Sequence, residues 1–153
     1  VAPRDGDGWI ECACSNRHWG LHGAAGLLLV RDNAVLLQHR APWVHNGDTW
    51  GIPGGARDSH ESAVEAAIRE AQEEIGIDAH LLTPIHTFND NHGNWQYDTI
   101  IATAEARLVA HEMNDESQQI EWVPFDEVTN KDLHPSFAKS WPALHQILAE
   151  LFV

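Results

Sequence analysis

Three glutamates, Glu70, Glu73 and Glu74, stand at spacings of i, i+3 and i+4. At helical pitch they project at about 240°, 180° and 280° relative to Val64, so three carboxylates share an arc of about 100°. Acids placed this way repel one another, and two of them fall in the last turn, where the helix dipole is already negative. Taken alone, such a trio reads as surface acids of an acidic protein. The turn before the helix changes that reading: Pro53-Gly54-Gly55 has a bare backbone, so a carbonyl can approach a cation or a phosphate closely. Oxygen ligands converging at this density suit Mg²⁺ or Mn²⁺ rather than Zn²⁺, and the chemistry on offer is metal-assisted attack on an anion.

The helix that must carry these acids is well signalled. Asp58 and Glu61 have the spacing of a capping box, and Gly76 just past Ile75 supplies a stop. Val64, Ala67, Ile68, Ala71 and Ile75 fall on one stripe and predict the core face. Ahead of it, the apolar run 24–30, the turn Arg31-Asp32-Asn33 and the run 35–40 read as a hairpin, followed by a loop over 41–49 and a brief strand from Trp50. Beyond it, 81–88 and 97–109 read as strands around a polar loop at 89–94, 120–124 as a further strand, and 135–152 as a closing helix. This order predicts an α/β fold with a mixed sheet between helical layers. Residues 1–20 read as a polar, Gly-rich extension that packs on the domain through Trp9, Ile10 and Trp19, and residues 21–153 form the domain itself.

At 153 residues the chain fits one domain with a continuous core. Nine Lys+Arg against 23 Asp+Glu give a formal charge of −14, too few cations to neutralise a nucleic-acid backbone, and an acidic membrane surface would repel it too. An anionic small molecule would need a divalent cation to make the encounter favourable. No apolar run is long enough for a membrane span, and the first residues lack a charged-then-apolar signal pattern, so the expected compartment is the cytoplasm and the expected state a monomer or homodimer. Cys12 and Cys14 are too close in sequence to close an easy disulfide. With His18, and His22 as a fourth ligand, they form a candidate structural Zn²⁺ site whose one-residue spacer is shorter than usual; the alternative is a pair of small buried thiols. Trp43, Trp50, Trp95 and Trp141 could stack on a base, though a Trp near a strand is more often core.

From Gly55, through Glu61, to Arg69-Glu70-Ala71-Gln72-Glu73-Glu74-Ile75-Gly76-Ile77, the sequence resembles the Nudix box, with each fixed Gly, Glu and Arg at its proper spacing. The resemblance extends to Trp50-Gly51-Ile52-Pro53-Gly54 and Glu121-Trp122-Val123-Pro124, which look like MutT-type members. It implies an α/β/α sandwich that hydrolyses a pyrophosphate bond in a nucleoside diphosphate derivative with a divalent metal. Glu70, Glu73 and Glu74 would hold the metal with the Gly54 carbonyl, Arg69 and Glu61 would brace the helix and loop, and Gly55 and Gly76 would be structural. Glu116 looks like the extra carboxylate that MutT-type enzymes bring to the metal or the water, so the general base is Glu70 or Glu116. Arg40 matches a substrate-contacting position, and Trp50 and Phe137 are further substrate candidates, Phe137 standing where a MutT enzyme places a base-reading Asn. The leading substrate class is a nucleoside triphosphate, including oxidised purine forms such as 8-oxo-dGTP. ADP-ribose, dinucleoside polyphosphates and sugar nucleotides are alternatives, as is an inactive nucleotide-binding domain.

Overall fold

A computed structural model describes residues 4–12, 14, 17–113 and 117–152. The apolar run becomes β3 (Ala24–Arg31), buried along nearly its whole length. Its side chains alternate between two cores. Leu27 and Leu29 join a cluster beneath α1 (Ala63–Ile75), while Leu28 and Val30 join one beneath α2 (Pro135–Leu151). A strand covered on both faces has no polar side, which is why the sequence shows a continuous apolar run rather than alternation.

The Asp32-Asn33 turn has positive φ at both residues, 53° and 59°, the geometry that matches the twist of a two-residue hairpin, and leads into β4 (Ala34–Arg40). β3 and β4 pair only near this turn, at Val30 with Val35 and Arg31 with Ala34. At the other end they splay. There β6 (Gly54–Ala56) pairs with β3 through Ala24, Ala25 and Gly26, and the Leu27 N–H donates to the Pro53 carbonyl at 2.9 Å. β4 pairs instead with β5 (Trp50–Gly51) and along its length with β9 (Ser117–Pro124). On the far side of β3 lies β8 (Gln96–Ala104), parallel to it, and then β7 (Leu82–Asn91), antiparallel to β8. The result is a mixed seven-stranded sheet between α1 and α2.

Several expected boundaries move. The N-cap of α1 is Ser62 rather than Asp58: Ser62 and Glu65 exchange both capping-box bonds, whereas Glu61 accepts the Asp58 N–H at 3.0 Å but the Asp58 carboxylate accepts from the Gly6 N–H instead. Ala66, off the expected stripe, is fully buried, whereas Val64 and Ile68 are only partly so. The polar segment expected as a loop is strand as far as Asn91, because its backbone pairs with β8 whatever its side chains, and β8 ends at Ala104. Near the N-terminus a small hairpin, β1 (Trp9–Glu11) with β2 (Arg17–Trp19), stands apart from the main sheet. Trp9 and Trp19 are not buried anchors. They are 51% and 44% exposed and meet edge to face across the hairpin.

Candidate active site

The splay between β3 and β4 places the Gly54-Gly55 backbone against the C-terminal half of α1. Glu74 is held from two directions: its Oε2 accepts the Gly54 N–H at 3.0 Å, and its Oε1 accepts from Gln38 Nε2 on β4 at 3.2 Å. Glu70 lies over Gly55 so closely that a Cβ built there would meet its carboxylate carbon at 2.6 Å. Only glycine leaves room for it. Gly76 ends the helix in the left-handed region, at φ 64°, and donates its N–H to the Gln72 carbonyl.

Arg69 joins helix to loop. Its Nε and Nη2 donate to the two Glu61 carboxylate oxygens at 2.6 and 2.8 Å, Nη2 also reaches the Ala56 carbonyl at 3.1 Å, and Nη1 donates to Glu70 at 2.9 Å. The Arg69 hydrogen bond holds the Glu61 carboxyl below its ordinary value, against the opposing effect of burial. Burial pushes Glu70 up despite the bond from Arg69, and the neighbouring charge of Glu73 adds to the rise. Glu73 is the most open of the three, its side chain 42% exposed, against 13% for Glu70. Arg4, which no local pattern singles out, bridges Glu70, at 3.3 Å, and Glu73 through its guanidinium.

Glu70 and Glu74 therefore meet on one backbone turn, and Glu73, one helical turn beyond Glu70, is tied to Glu70 through Arg4 and Arg69. An oxygen-only donor set, with space kept open by a residue that cannot be larger than glycine, fits a hard divalent cation held by Glu70, Glu73 and Glu74. Gln38 is the neighbour that sequence reasoning passed over. Its signal was a lone amide at the end of Val35-Leu36-Leu37: it is 3% exposed and also donates to Ser117 Oγ at 2.5 Å. Glu116 lies outside the described residues.

The expected substrate contacts fare differently. Arg40, at the end of β4, donates to the His45 carbonyl at 3.1 and 2.9 Å. Trp50 is 8% exposed, stacked on His39 at 4.5 Å with Lys131 Nζ 4.3 Å from its ring, and its backbone links Asp132 and His134. Phe137 is 7% exposed and packs with Trp141 in the cluster beneath α2. Both rings are core side chains as the fold presents them, because the sheet face they cover is apolar. Of the other tryptophans considered for stacking, Trp141 is buried, Trp95 is half-buried against His18, and Trp43 is 69% exposed on the loop after β4. The expected Cys12, Cys14 and His18 do come together, but the fourth neighbour is His92 rather than the exposed His22.

A family model described as NUDIX domain matches residues 20–144. A Mycobacterium tuberculosis protein named "Putative 8-oxo-dGTP diphosphatase 3" is 45% identical over 153 residues, spanning 92% of this chain and 69% of the relative. A Bifidobacterium longum nucleoside triphosphate pyrophosphatase/Nudix hydrolase fusion protein is 41% identical over 95% of this chain. The chain spans only 32% of that fusion's length. Among solved structures, a Nudix hydrolase from M. smegmatis, RenU, superposes with a TM-score of 0.87 at 44% identity, covering 97% of this chain and 98% of that one. No helix among the described residues is long and apolar enough to cross a membrane.

Proposed function

The chain belongs to the Nudix family of hydrolases, and from that premise we propose that it hydrolyses a pyrophosphate bond of a nucleoside triphosphate, with oxidised purine nucleotides as the leading substrates, at Glu70, Glu73 and Glu74. The carrying observation is the convergence of Glu70 and Glu74 on Gly55 and Gly54. The name of the M. tuberculosis relative supports the substrate class. Mg²⁺ or Mn²⁺ is the proposed cation, because every donor is oxygen. When bound, it neutralises phosphate oxygens and lowers the pKa of the attacking water.

The chain's own residues supply positioning and proton transfer. Gly54 and Gln38 fix Glu74, Arg69 fixes Glu70 against the loop, and Glu61 fixes Arg69. Either Glu70 or Glu116 takes the water's proton. Support for Glu116 comes from its neighbour Ser117, which shares the Gln38 amide with Glu74 and so brings the chain at 117 to the site. The Gly54 carbonyl is proposed as a further ligand and Arg40 as a substrate contact.

A panel of nucleoside triphosphates, 8-oxo-dGTP, ADP-ribose, dinucleoside polyphosphates and sugar nucleotides, with products resolved, tests the reading. The expected products are a nucleoside monophosphate and pyrophosphate, formed only with Mg²⁺ or Mn²⁺. Glu73→Gln and Glu70→Gln should each lower kcat by roughly 100-fold or more with an unchanged circular dichroism spectrum. Full activity in either variant, or nucleotide binding without turnover at any metal concentration, would overturn the assignment.

A further inference from the structure

Away from the carboxylates, Cys12, Cys14 and the β2 residue His18 meet the turn between β7 and β8. Cys12, Cys14, His18 and His92 each bring a sulfur or ring nitrogen there, all within 4.8 Å of one another. Cys14 Sγ lies 3.1 Å from His18 Nε2, and Cys12 Sγ lies 3.2 Å from the His92 carbonyl. The two cysteines are not joined by a disulfide. We propose that these four side chains bind one tetrahedral Zn²⁺ that clamps the N-terminal hairpin onto the β7–β8 turn.

Two thiolates and two imidazoles form a soft donor set that selects zinc over the hard cations suited to Glu70, Glu73 and Glu74. Metal–ligand bonds of about 2.0 to 2.3 Å put tetrahedral ligand atoms roughly 3.3 to 3.8 Å apart, so the observed cluster needs only small side-chain rotations. Its surroundings are those of a prepared site. His92 Nε2 is 2.9 Å from Asp90 Oδ2, a carboxylate contact that orients the ring and leaves Nδ1 to the metal. His18 lies flat on Trp95, with ring centroids 4.0 Å apart and planes 7° apart. The Cys14 backbone N–H donates to Cys12 Sγ at 3.2 Å, which ties the two cysteines together. Asn94 donates to the Glu11 carbonyl at 2.7 Å, a second tie between the same two segments.

The spacing that weakens the sequence pattern is resolved by the fold. Cys12 and His92 are 80 positions apart, so the fourth ligand cannot be found by local spacing. The clamp would also anchor the segment that begins with Arg4, on the box acids, and continues through Gly6, whose N–H donates to Asp58 at 3.0 Å. The metal site stands independently of the hydrolase reading.

The test measures zinc in the full chain, expressed with added Zn²⁺ and purified without chelators, by elemental analysis. About one equivalent per chain is expected. The Glu73→Gln variant should retain it and the Cys12→Ser/Cys14→Ser variant should lose it. Replacement by Co²⁺ in the unsubstituted protein should give intense visible bands of a tetrahedral centre and a near-ultraviolet sulfur-to-cobalt band, which needs no variant to fold. Asp90→Asn should weaken zinc binding by about 10- to 100-fold in competition with a chromophoric chelator. Substoichiometric zinc in the unsubstituted chain, zinc retained by the double Cys variant, or a weak octahedral cobalt spectrum would each overturn the proposal.

Discussion

The Glu70 carboxylate occupies the space a side chain at Gly55 would take, with its carbon 2.6 Å from the position of a Cβ built there. Gly55 is thus required by the acid above it. Replacing it with alanine should push Glu70 off the turn. A displacement near 1 Å at a reacting centre costs roughly 100-fold in rate. Gly55→Ala should therefore lose about that much in kcat, with a raised metal requirement and a far smaller fall in Tm. Steady-state kinetics over a metal titration, beside thermal unfolding, checks this; an unfolded variant or an unaltered rate would show that the contact had been misread.

Arg4 and a divalent cation would compete for Glu70 and Glu73. Removing Arg4 relieves the competition, so Arg4→Ala should lower the half-saturating metal concentration. A partly exposed pair is worth about 0.2 to 1 kcal/mol, so the shift should be about 1.4- to fivefold, and it should shrink as salt is raised. If Arg4→Ala instead raised the KM for nucleotide at saturating metal, Arg4 would be a substrate contact.

His134 caps α2 by accepting the Ser136 N–H on Nδ1 at 3.1 Å, which places the ring proton on Nε2. Burial, with the nearby Arg40 and His45 charges, pushes its pKa down from 6.5 to about 4. The unfolded chain takes up a proton over that interval and the folded one does not, so this stability is present above pH 6.5 and is lost as pH falls toward 4. Discounted for solvent screening of a partly exposed ring, the loss should be about 1 to 2 kcal/mol. His134→Asn keeps a capping acceptor and removes the titration, so unfolding of this variant should show a flatter acid limb.

Phe137 separates a core role from a substrate role. Packed against Trp141, it should cost about 3 to 5 kcal/mol when cut to alanine. Phe137→Leu, which keeps an apolar side chain in the core, should lower Tm while moving the nucleotide KM by less than about twofold. A large change in KM at unchanged Tm would return the ring to the substrate site.

What the sequence revealed and what it hid divide by distance along the chain. Glu70, Glu73, Glu74, Arg69 and Gly76 act within one helix and its cap, so their spacing alone predicts their grouping. The Asp32-Asn33 hairpin was equally legible, because a two-residue turn carries its own chemistry. Gln38, Arg4 and His92 were not: each reaches its partner across the fold, and nothing local distinguishes them. Asp58 and Ser62 show a subtler failure. Both precede a glutamate by three residues, but the Asp58 carboxylate is taken by the distant Gly6 N–H, so the complete capping box falls to Ser62 and Glu65.

The parallel pairing of β3 with β8 also bears on how the site comes to exist. Synthesis delivers β3, β4 and the whole box helix before any residue of β8, yet Ile100 and Ala102 of β8 belong to the floor on which Ala67 and Ala71 rest. For that interval the nascent chain holds every box carboxylate on a helix whose apolar side lacks part of its partner. Assembly of the site then waits on a contact that is distant in sequence, the kind of closure that is slow to form and leaves apolar surface exposed meanwhile.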